Sequence, residues 1–354
     1  AIGAKENEKE LTVRKWFEWH NTLFLSNKIC RRNTGGDLFL SIKNMKKTGK
    51  YRWLRRLLRV MVVLTGLLVI ACLLFDHYVQ FRKTDDELRE IFAQRNIKGE
   101  IRYYEVNGRK IRYASVGEDT LPVLLMLHGS PGSMSYYSGR YADSIIQRTF
   151  KVYTVDRPGY GYSGFGDPEP SIEKQAAMIR PILDSLNRVR RPIIIAGGSY
   201  GASVACRIAM DYPHLVDGLM LSGPSLGPGL EVMFGITPVI EHWSLRWMVP
   251  RIFKSANTEK MHHRKELEKM LPLWKNIKVP VVYIQGEHDN IVDTANAGFA
   301  RQHLVNVPYL DIRFIKQREH RLAQFEWPAI RDGIMTVYRL AEEKYDRQKG
   351  STGP

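Results

Sequence analysis

The chain has 354 residues, of which 44% are hydrophobic and 25% charged, so it can hold one large domain with appendages or two domains. The apolar fraction excludes a wholly disordered protein. The formal net charge is +16, but residues 1–59 carry a net +10, from 15 Lys and Arg against 5 Asp and Glu. Because most of the basic excess lies in this leader, nucleic acid is not an expected partner.

The cysteine and histidine patterns exclude two further classes of protein. Three cysteines, at positions 30, 72 and 206, are too few for a disulfide framework. No CxxC motif and no Cys/His cluster indicates structural zinc. We therefore expect no bound metal.

An apolar run near the N-terminus predicts a membrane anchor. Residues 60–75 carry no charge, and extension to residues 57–79 reaches the length that a bilayer requires. The cationic stretch before the run predicts that the N-terminus stays inside and that the remaining chain lies outside the membrane. We interpret residues 57–79 as an uncleaved, single-pass signal-anchor. Cleavage near Ala71 and lipidation of Cys72 are the alternatives.

The segments on either side of the anchor differ in character. Residues 1–56 form a basic leader, and Met45 followed by two lysines resembles the start of a membrane-targeting segment. We therefore expect residues 1–44 not to be part of the mature protein. After the anchor, residues 84–97 have the composition of a short polar helix, which we expect to be a stalk.

Residues 98–348 have the pattern of a doubly wound α/β domain. Two alternating strands meet at Asn107-Gly108, which is a strong hairpin signal. Apolar strands alternate with helical stretches after them, which favours a mostly parallel sheet with helices on both faces. The predicted strands lie near residues 101–106, 110–116, 123–127, 151–155, 192–196, 218–221, 279–284 and 311–315. The predicted helices lie near residues 135–147, 171–187, 200–211, 295–304 and 320–345.

One connection in this pattern is unusually long. About 55 residues separate the strand near Leu221 from the strand that begins at Val279, far more than a crossover needs. Residues 224–277 are rich in Met, Trp and Phe. We interpret them as a helical lid over the carboxyl ends of the strands, where open α/β sheets bind ligands.

A candidate nucleophile follows the strand at residues 192–196. The sequence Gly197-Gly198-Ser199-Tyr200-Gly201 stands between this strand and a predicted helix. Small neighbours allow the tight strand-to-helix turn that exposes a nucleophilic serine, and the helix N-terminus favours negative charge beside it. An ordinary glycine-rich turn or a phosphate cradle is the alternative, although GxGxxG and Walker spacings are absent.

Acyl transfer also requires two N–H donors for the developing oxyanion. The segment His128-Gly129-Ser130-Pro131-Gly132 follows the strand at residues 123–127 and therefore reaches the same edge of the sheet. We expect the backbone N–H groups of Ser130 and Tyr200 to form the oxyanion hole. His128 is expected to brace this loop by hydrogen bonds and not to act as the base.

The base and its carboxylate partner are predicted downstream. Asp289 follows the strand at residues 279–284, and His320 follows the strand at residues 311–315. A serine nucleophile needs a histidine base, and that histidine needs a carboxylate to hold its tautomer. The order Ser199, Asp289, His320 therefore predicts a catalytic triad, with Glu287 as the rival acid.

Five motifs resemble those of the α/β-hydrolase fold superfamily, over residues 100–345: HGSPGS, DRPGYGYSG, GGSYGA, GEHD and EH. The resemblance implies an eight-stranded, mostly parallel sheet with a lid, and a Ser-His-Asp triad that works without a cofactor. It also implies structural roles for Asp156 and Arg157. Family members with an Asp nucleophile, such as epoxide hydrolases, share some of these motifs, but Ser199 disfavours their chemistry.

These observations predict a membrane-anchored serine hydrolase that cleaves carboxylic esters through an acyl-enzyme intermediate. The expected partners are a small ester or amide substrate, apolar in character, and the lipid bilayer. The elbow GGSYG and the segment HGSPG are similar to those of proline iminopeptidases, so an aminopeptidase with Glu231 or Glu241 as amine ligand is the first alternative. A non-catalytic binding protein on a hydrolase scaffold is the second. The sequence identifies no substrate-binding residue beyond these candidates.

Overall fold

The computed structural model describes residues 51–186, 191–232 and 235–350. The expectation that residues 1–44 are absent from the mature protein lies outside the described residues. The same holds for most of the basic leader, residues 1–56.

Residues Arg52–Tyr78 form one continuous helix, α1. Its most apolar window has a mean hydropathy of 2.7, and none of that window is buried within the protein. By length and composition it is the one helix among the described residues that can cross a membrane. Twenty-seven residues span about 40 Å, which exceeds the apolar thickness of a bilayer. The helix agrees with the predicted anchor in position, although it begins five residues before residue 57.

Within the described residues, eight strands form a single sheet. The strands are β1 (Gly99–Val106), β2 (Arg109–Val116), β3 (Val123–Leu127), β4 (Lys151–Val155), β5 (Ile193–Gly198), β6 (Gly218–Ser222), β7 (Val281–Gly286) and β8 (Leu310–Ile315). Their spatial order is β1-β2-β4-β3-β5-β6-β7-β8. The pairs β1–β2 and β2–β4 are antiparallel, and the other pairs are parallel. The predicted mostly parallel sheet is confirmed.

Helices cover both faces of this sheet. They are α2 (Asp85–Gln94), α3 (Ser144–Thr149), α4 (Ile172–Leu186), α5 (Tyr200–Asp211), α6 (Thr237–Ile240), α7 (Arg251–Met270), α8 (Asn296–His303), α9 (Leu322–Phe325) and α10 (Trp327–Gly350). Successive residues of β3 alternate between two hydrophobic cores: Leu125 lies in the core under α4 and α5, and Leu124 in the core under α2, α3 and α10. This alternation explains why the central strands are apolar at every position.

Two predicted helices are interrupted in the structure. Residues 135–147 form a short 3-10 helix, Met134–Tyr137, and then α3. The Asp143 carboxylate caps α3 by accepting the N–H groups of the first helical residues, so the chain starts a new helix there. Residues 320–345 divide into α9 and α10, because Pro328 is accommodated only in the first turn of a helix.

Helix α2 covers most of the segment that the sequence predicts to be a stalk, residues 84–97, and it packs onto the domain. Thr84 and Glu87 form a capping box that starts the helix. Leu88 and Phe92, one helical turn apart, are both buried in the core that also holds α10. Because the segment is polar overall, its composition does not reveal that these two apolar residues share one face of the helix.

The predicted lid, residues 224–277, begins as a layer outside the sheet and ends within the core. It contains α6 and α7. The last residues of the insert, including Leu267, Met270 and Trp274, are buried in the same core as α5. The lid is therefore anchored to the domain by its own C-terminal part, and Trp274 is a core residue.

Truncation of Leu88 tests the packing of α2. Leu88 is fully buried, so Leu88→Ala should lower the free energy of unfolding by about 2–5 kcal/mol through lost burial and a cavity. The measurement is denaturant unfolding of the full chain in detergent. Glu90→Ala, on the exposed side of the same helix, is the control and should change stability by at most about 0.5 kcal/mol. Equal stability of Leu88→Ala and the unmodified chain would contradict this packing.

Candidate active site

Ser199 lies at the sharp turn between β5 and α5. Its φ of 52° and ψ of −122° belong to a region that residues with side chains rarely adopt. Its N–H donates to the Ser222 carbonyl at 2.9 Å, which ties the turn to the neighbouring strand. The turn needs a glycine at position 201, because a Cβ there would lie 2.5 Å from the backbone oxygens of Leu127 and His128. The GxSxG pattern thus forms the strand-to-helix turn that the sequence predicts.

The loop after β3 runs directly against Ser199. A Cβ on Gly129 would lie 3.1 Å from the Ser199 Cβ, so the next residue, Ser130, borders the same space. The N–H groups of Ser130 and Tyr200 donate no hydrogen bond within the described part of the chain. Tyr200 begins α5, where the first N–H groups lack helical partners and the dipole favours negative charge. Both predicted oxyanion donors therefore have N–H groups that are available to donate a hydrogen bond beside Ser199.

Asp289 and His320 are in direct contact. The His320 Nδ1 lies 2.8 Å from the Asp289 Oδ2, and the Asp289 side chain is fully buried. Burial raises the pKa of Asp289, but hydrogen bonds from His320 and from two backbone N–H groups outweigh it, so the net pKa is below the ordinary value. Asp289 is thus a charged acceptor beside the imidazole.

Glu287, the rival acid, lies elsewhere. It is exposed, and its carboxylate accepts the N–H of Gln317 at 3.3 Å. The structure brings Asp289, and not Glu287, to His320.

Ser199 and His320 face the same short segment without touching. Gly223 follows Ser222, and a Cβ on Gly223 would lie 3.1 Å from the His320 ring. Among the described residues, no hydrogen bond joins the Ser199 hydroxyl to His320. Catalytic hydrogen bonds are often long or unformed without substrate.

His128 braces the loop at residues 128–132, the predicted oxyanion loop. Its Nδ1–H donates to the Gly129 carbonyl at 2.7 Å, and its Nε2 accepts the backbone N–H of Arg157 at 3.0 Å. Burial, together with the nearby Arg157 charge, lowers the pKa of His128 well below its ordinary range. A neutral imidazole with both nitrogens engaged is a structural group, as the sequence predicts.

A buried charge network, which sequence reasoning missed, joins this loop to the lid. The Arg157 guanidinium binds the Glu259 carboxylate through two contacts, at 2.6 and 3.2 Å, and both side chains are fully buried. Arg157 also donates to the carbonyls of His128 and Gly129, at 2.8 and 3.0 Å, and to Gln175. The DRPG motif indicates that Arg157 needs a counter-charge, but nothing in the sequence selects Glu259, on α7, from the other carboxylates.

Tyr160 extends this network to the predicted oxyanion donor. Its hydroxyl donates to Glu259 at 2.6 Å and accepts the hydroxyl of Ser130 at 2.7 Å. Because Tyr160 and Glu259 are fully buried, the hydrogen bond between them is shielded from solvent. A residue of the lid helix therefore helps to hold the position of Ser130.

A cavity of about 580 Å³ opens beside Ser199, Ser130 and Tyr200. Its wall is formed mainly by apolar side chains of the lid and of neighbouring segments: Phe75, Pro131, Ile236, Ile240, Met248, Val249, Pro250, Phe253, Ala256, Ile291 and Val292. Glu231 and Lys260 are the charged residues in the wall. The volume is typical of a small-molecule site, and the wall favours an apolar ligand.

The two glutamates considered as amine ligands differ in position. Glu231 lines the cavity, and its Oε1 is buried without a hydrogen-bond partner. Glu241 lies outside the cavity wall and binds Asn257 and Arg246. Among the described residues, no group of three or more His, Cys, Asp or Glu side chains is arranged to hold a metal ion.

Comparison with known proteins agrees with this architecture. A family model described as alpha/beta hydrolase fold matches residues 122–248, which include the oxyanion loop and Ser199. The chain therefore has the α/β-hydrolase fold. The esterase RhEst1 from Rhodococcus sp. ECU1013 shares this fold with a TM-score of 0.51 and 19% identity, over 67% of this chain and 98% of that one.

Two curated relatives match part of the chain. The chain is 26% identical over 130 residues to proline iminopeptidase PfmaB of Pestalotiopsis fici, covering 35% of this chain and 43% of that protein. It is 30% identical over 112 residues to epoxide hydrolase 4 of Mus musculus, covering 31% of this chain and 30% of that protein. The chain thus spans less than half the length of either relative.

Two glycines of the elbow provide a matched pair for mutation. Gly201→Ala would press a Cβ against backbone oxygens at 2.5 Å, whereas a Cβ on Gly198 meets nothing closer than 3.9 Å. We expect Gly201→Ala to lower the free energy of unfolding by more than about 2 kcal/mol and to abolish labelling of Ser199 by a fluorophosphonate. Gly198→Ala should change the free energy of unfolding by at most about 1 kcal/mol and should retain the labelling of Ser199. Equal tolerance at both positions would contradict the geometry of the turn.

Proposed function

We propose that this hydrolase-fold protein is a membrane-anchored serine hydrolase that cleaves carboxylic esters. The observation that carries the proposal is the buried Asp289–His320 pair, joined at 2.8 Å at the edge of the sheet where Ser199 also lies. Open N–H groups at Ser130 and Tyr200 support it, because acyl transfer needs such donors. The composition of the cavity wall supports an apolar acyl or alcohol group.

In this mechanism Ser199 is the nucleophile. Its Oγ attacks the ester carbonyl while the His320 Nε2 takes the hydroxyl proton, and the oxyanion accepts the N–H groups of Ser130 and Tyr200. His320 then returns the proton to the leaving alcohol, which leaves an acyl-enzyme. Water, deprotonated by His320, attacks the acyl carbonyl and releases the acid. Asp289 holds the His320 tautomer and stabilises the imidazolium.

The anchor and the location of the domain are part of the same proposal. α1 has the length and composition of a membrane span, and cationic residues precede its apolar part. This charge bias favours a single-pass protein with residues 79–354 on the outer side of the membrane.

Epoxide opening is disfavoured despite the similarity to epoxide hydrolase 4. The position between β5 and α5 carries Ser199, whereas the epoxide-opening members named above use an Asp nucleophile. The similarity therefore supports a common scaffold with different chemistry.

Three substitutions test the triad in the full chain, assayed in detergent on p-nitrophenyl butyrate. Ser199→Ala and Asp289→Asn should each lower kcat by about 10⁴-fold, the first by loss of the nucleophile and the second by loss of the correct His320 tautomer. Glu287→Gln, the control at a neighbouring carboxylate, should retain kcat within about twofold. A fluorophosphonate probe should label the unmodified chain and not Ser199→Ala. Absence of both turnover and labelling in the unmodified chain would favour the binding-protein alternative.

An aminopeptidase is the second candidate, because Glu231 lines the cavity with an unpaired buried oxygen. Such an oxygen is suited to hold a substrate amine. However, Lys260 lies in the same wall, and its charge interacts with that of Glu231. This positive charge weakens the attraction of the site for an amine, so we place the ester reaction first.

The two candidates differ in substrate preference. Comparison of Pro- and Ala-p-nitroanilides with p-nitrophenyl butyrate decides between them, and we expect the ester to have the higher kcat/KM. An aminopeptidase would instead prefer the anilides, and Glu231→Gln would raise its KM for them by about tenfold or more through the lost ion pair. Glu241→Gln, whose side chain lies outside the cavity wall, is the matched control.

A further inference from the structure

The lid exposes a cluster of large apolar side chains around α6. Trp243 is 82% exposed and Ile236 is 63% exposed, and Val239 and Trp247 are each about half exposed. We call these four residues the lid face. Tryptophans this exposed are unusual on the surface of a soluble monomer, because burial of one aromatic side chain is worth several kcal/mol. Large apolar side chains that are left exposed so close together in the sequence indicate a binding surface.

The lid face adjoins the point where the apolar part of the anchor ends. Asp76 follows that apolar run and binds Arg251, the first residue of α7, through the backbone N–H at 2.6 Å and the guanidinium at 2.9 and 2.8 Å. Arg251 is only four residues after Trp247 of the lid face. The rings of Phe81 and Phe253 meet edge to face at 6.0 Å. The lid is thus attached to the residues at which the chain would leave a membrane.

The residues after Asp76 are held firmly and do not form a loose tether. The Arg82 guanidinium lies between the rings of Tyr162 and Phe165, at 4.3 and 4.1 Å from their centroids. The same guanidinium donates to the Gly161 carbonyl at 2.6 Å, and the Ser133 hydroxyl donates to the Phe81 carbonyl at 2.7 Å. These contacts fix the lid relative to residues 75–82.

The cavity connects this surface to the reacting groups. Ile236 of the lid face and Phe75, the last residue of the apolar run, both line the cavity that contains Ser199. An apolar chain that enters between them would reach Ser199 along apolar walls and would never cross bulk water. Such an entrance suits a substrate that already resides in a bilayer.

We propose that the lid face inserts into the membrane interface and that the substrate is an ester of a long-chain acyl group, taken directly from the bilayer. Tryptophan is suited to this interface, because its ring is apolar and its N–H is polar. The inference rests on the proposed function for its chemistry. Water supplies the hydroxyl for the released acid and the proton for the released alcohol, so the hydrolysis needs no other reactant.

The first test measures insertion and does not depend on activity. The full chain is reconstituted in vesicles of phosphatidylcholine and phosphatidylglycerol, with and without brominated acyl chains, which quench tryptophan fluorescence. Replacement of Trp243 and Trp247 by Phe should remove a large share of the quenching if both rings lie in the interface. Unchanged quenching in this double variant would overturn the proposed insertion.

The second test measures delivery of substrate. Trp243→Ala combined with Trp247→Ala should lower the hydrolysis of vesicle-borne p-nitrophenyl palmitate by about tenfold or more, because the lid no longer holds the entrance in the interface. Hydrolysis of water-soluble p-nitrophenyl acetate should remain unchanged, since neither Trp lines the cavity. Val305→Ala, an exposed apolar residue outside the lid, is the control and should affect neither substrate.

Other outcomes separate the possible failures. An equal loss on both substrates, or no loss on either, would overturn the proposed delivery while Ser199-dependent turnover still supported the hydrolase. Absence of Ser199-dependent turnover on both substrates would refute the proposed function. The quenching result would still test the membrane contact, because quenching does not depend on activity. If the chain is a dimer in detergent and the double Ala variant is a monomer, the lid face binds a second copy and the membrane proposal is wrong.

Discussion

The buried ion pair between Arg157 and Glu259 is the interaction on which the site depends. Both groups are fully buried, so each has lost its hydration, at a cost of several kcal/mol that only a complete set of partners offsets. Those partners come from separate parts of the chain: the oxyanion loop through His128 and Gly129, and helix α4 through Gln175. Removal of any element would leave a buried charge unsatisfied. The lid, the loop and the sheet edge are therefore positioned together.

This arrangement links the lid to the proposed oxyanion hole, which its surface location does not suggest. Through Tyr160, the Glu259 carboxylate reaches the hydroxyl of Ser130, whose backbone N–H faces the space beside Ser199. Displacement of α7 would disturb that donor as well as the cavity wall. On its other side the lid is bound to Asp76 through Arg251. A continuous set of contacts thus runs from Asp76, at the end of the apolar run, to the proposed oxyanion hole.

The differences between prediction and structure have identifiable physical causes. The segment at residues 84–97 is polar on most faces, but Leu88 and Phe92 suffice to bury it once a groove beside α10 exists, and the groove is not visible in the local sequence. The insert at residues 224–277 contains several tryptophans, yet Trp274 is a core residue whereas Trp243 is exposed. Composition cannot distinguish the buried tryptophan from the exposed one, because burial depends on which residues the rest of the fold packs against each of them.

The sequence by itself determined the strands, their alternation with helices, the strand-to-helix turn at Ser199 and the strand ends from which Asp289 and His320 project. These features follow from local periodicity, from glycines that only tight turns require, and from the rule that parallel strands end at one edge. Only the tertiary structure decided that Asp289, and not Glu287, reaches His320, that Glu259 neutralises Arg157, and that Glu231 rather than Glu241 lines the cavity. In each case the alternatives are carboxylates, which their chemistry alone does not distinguish. The selection depends on distances between segments far apart in the chain, which are set when the sheet and the lid pack together.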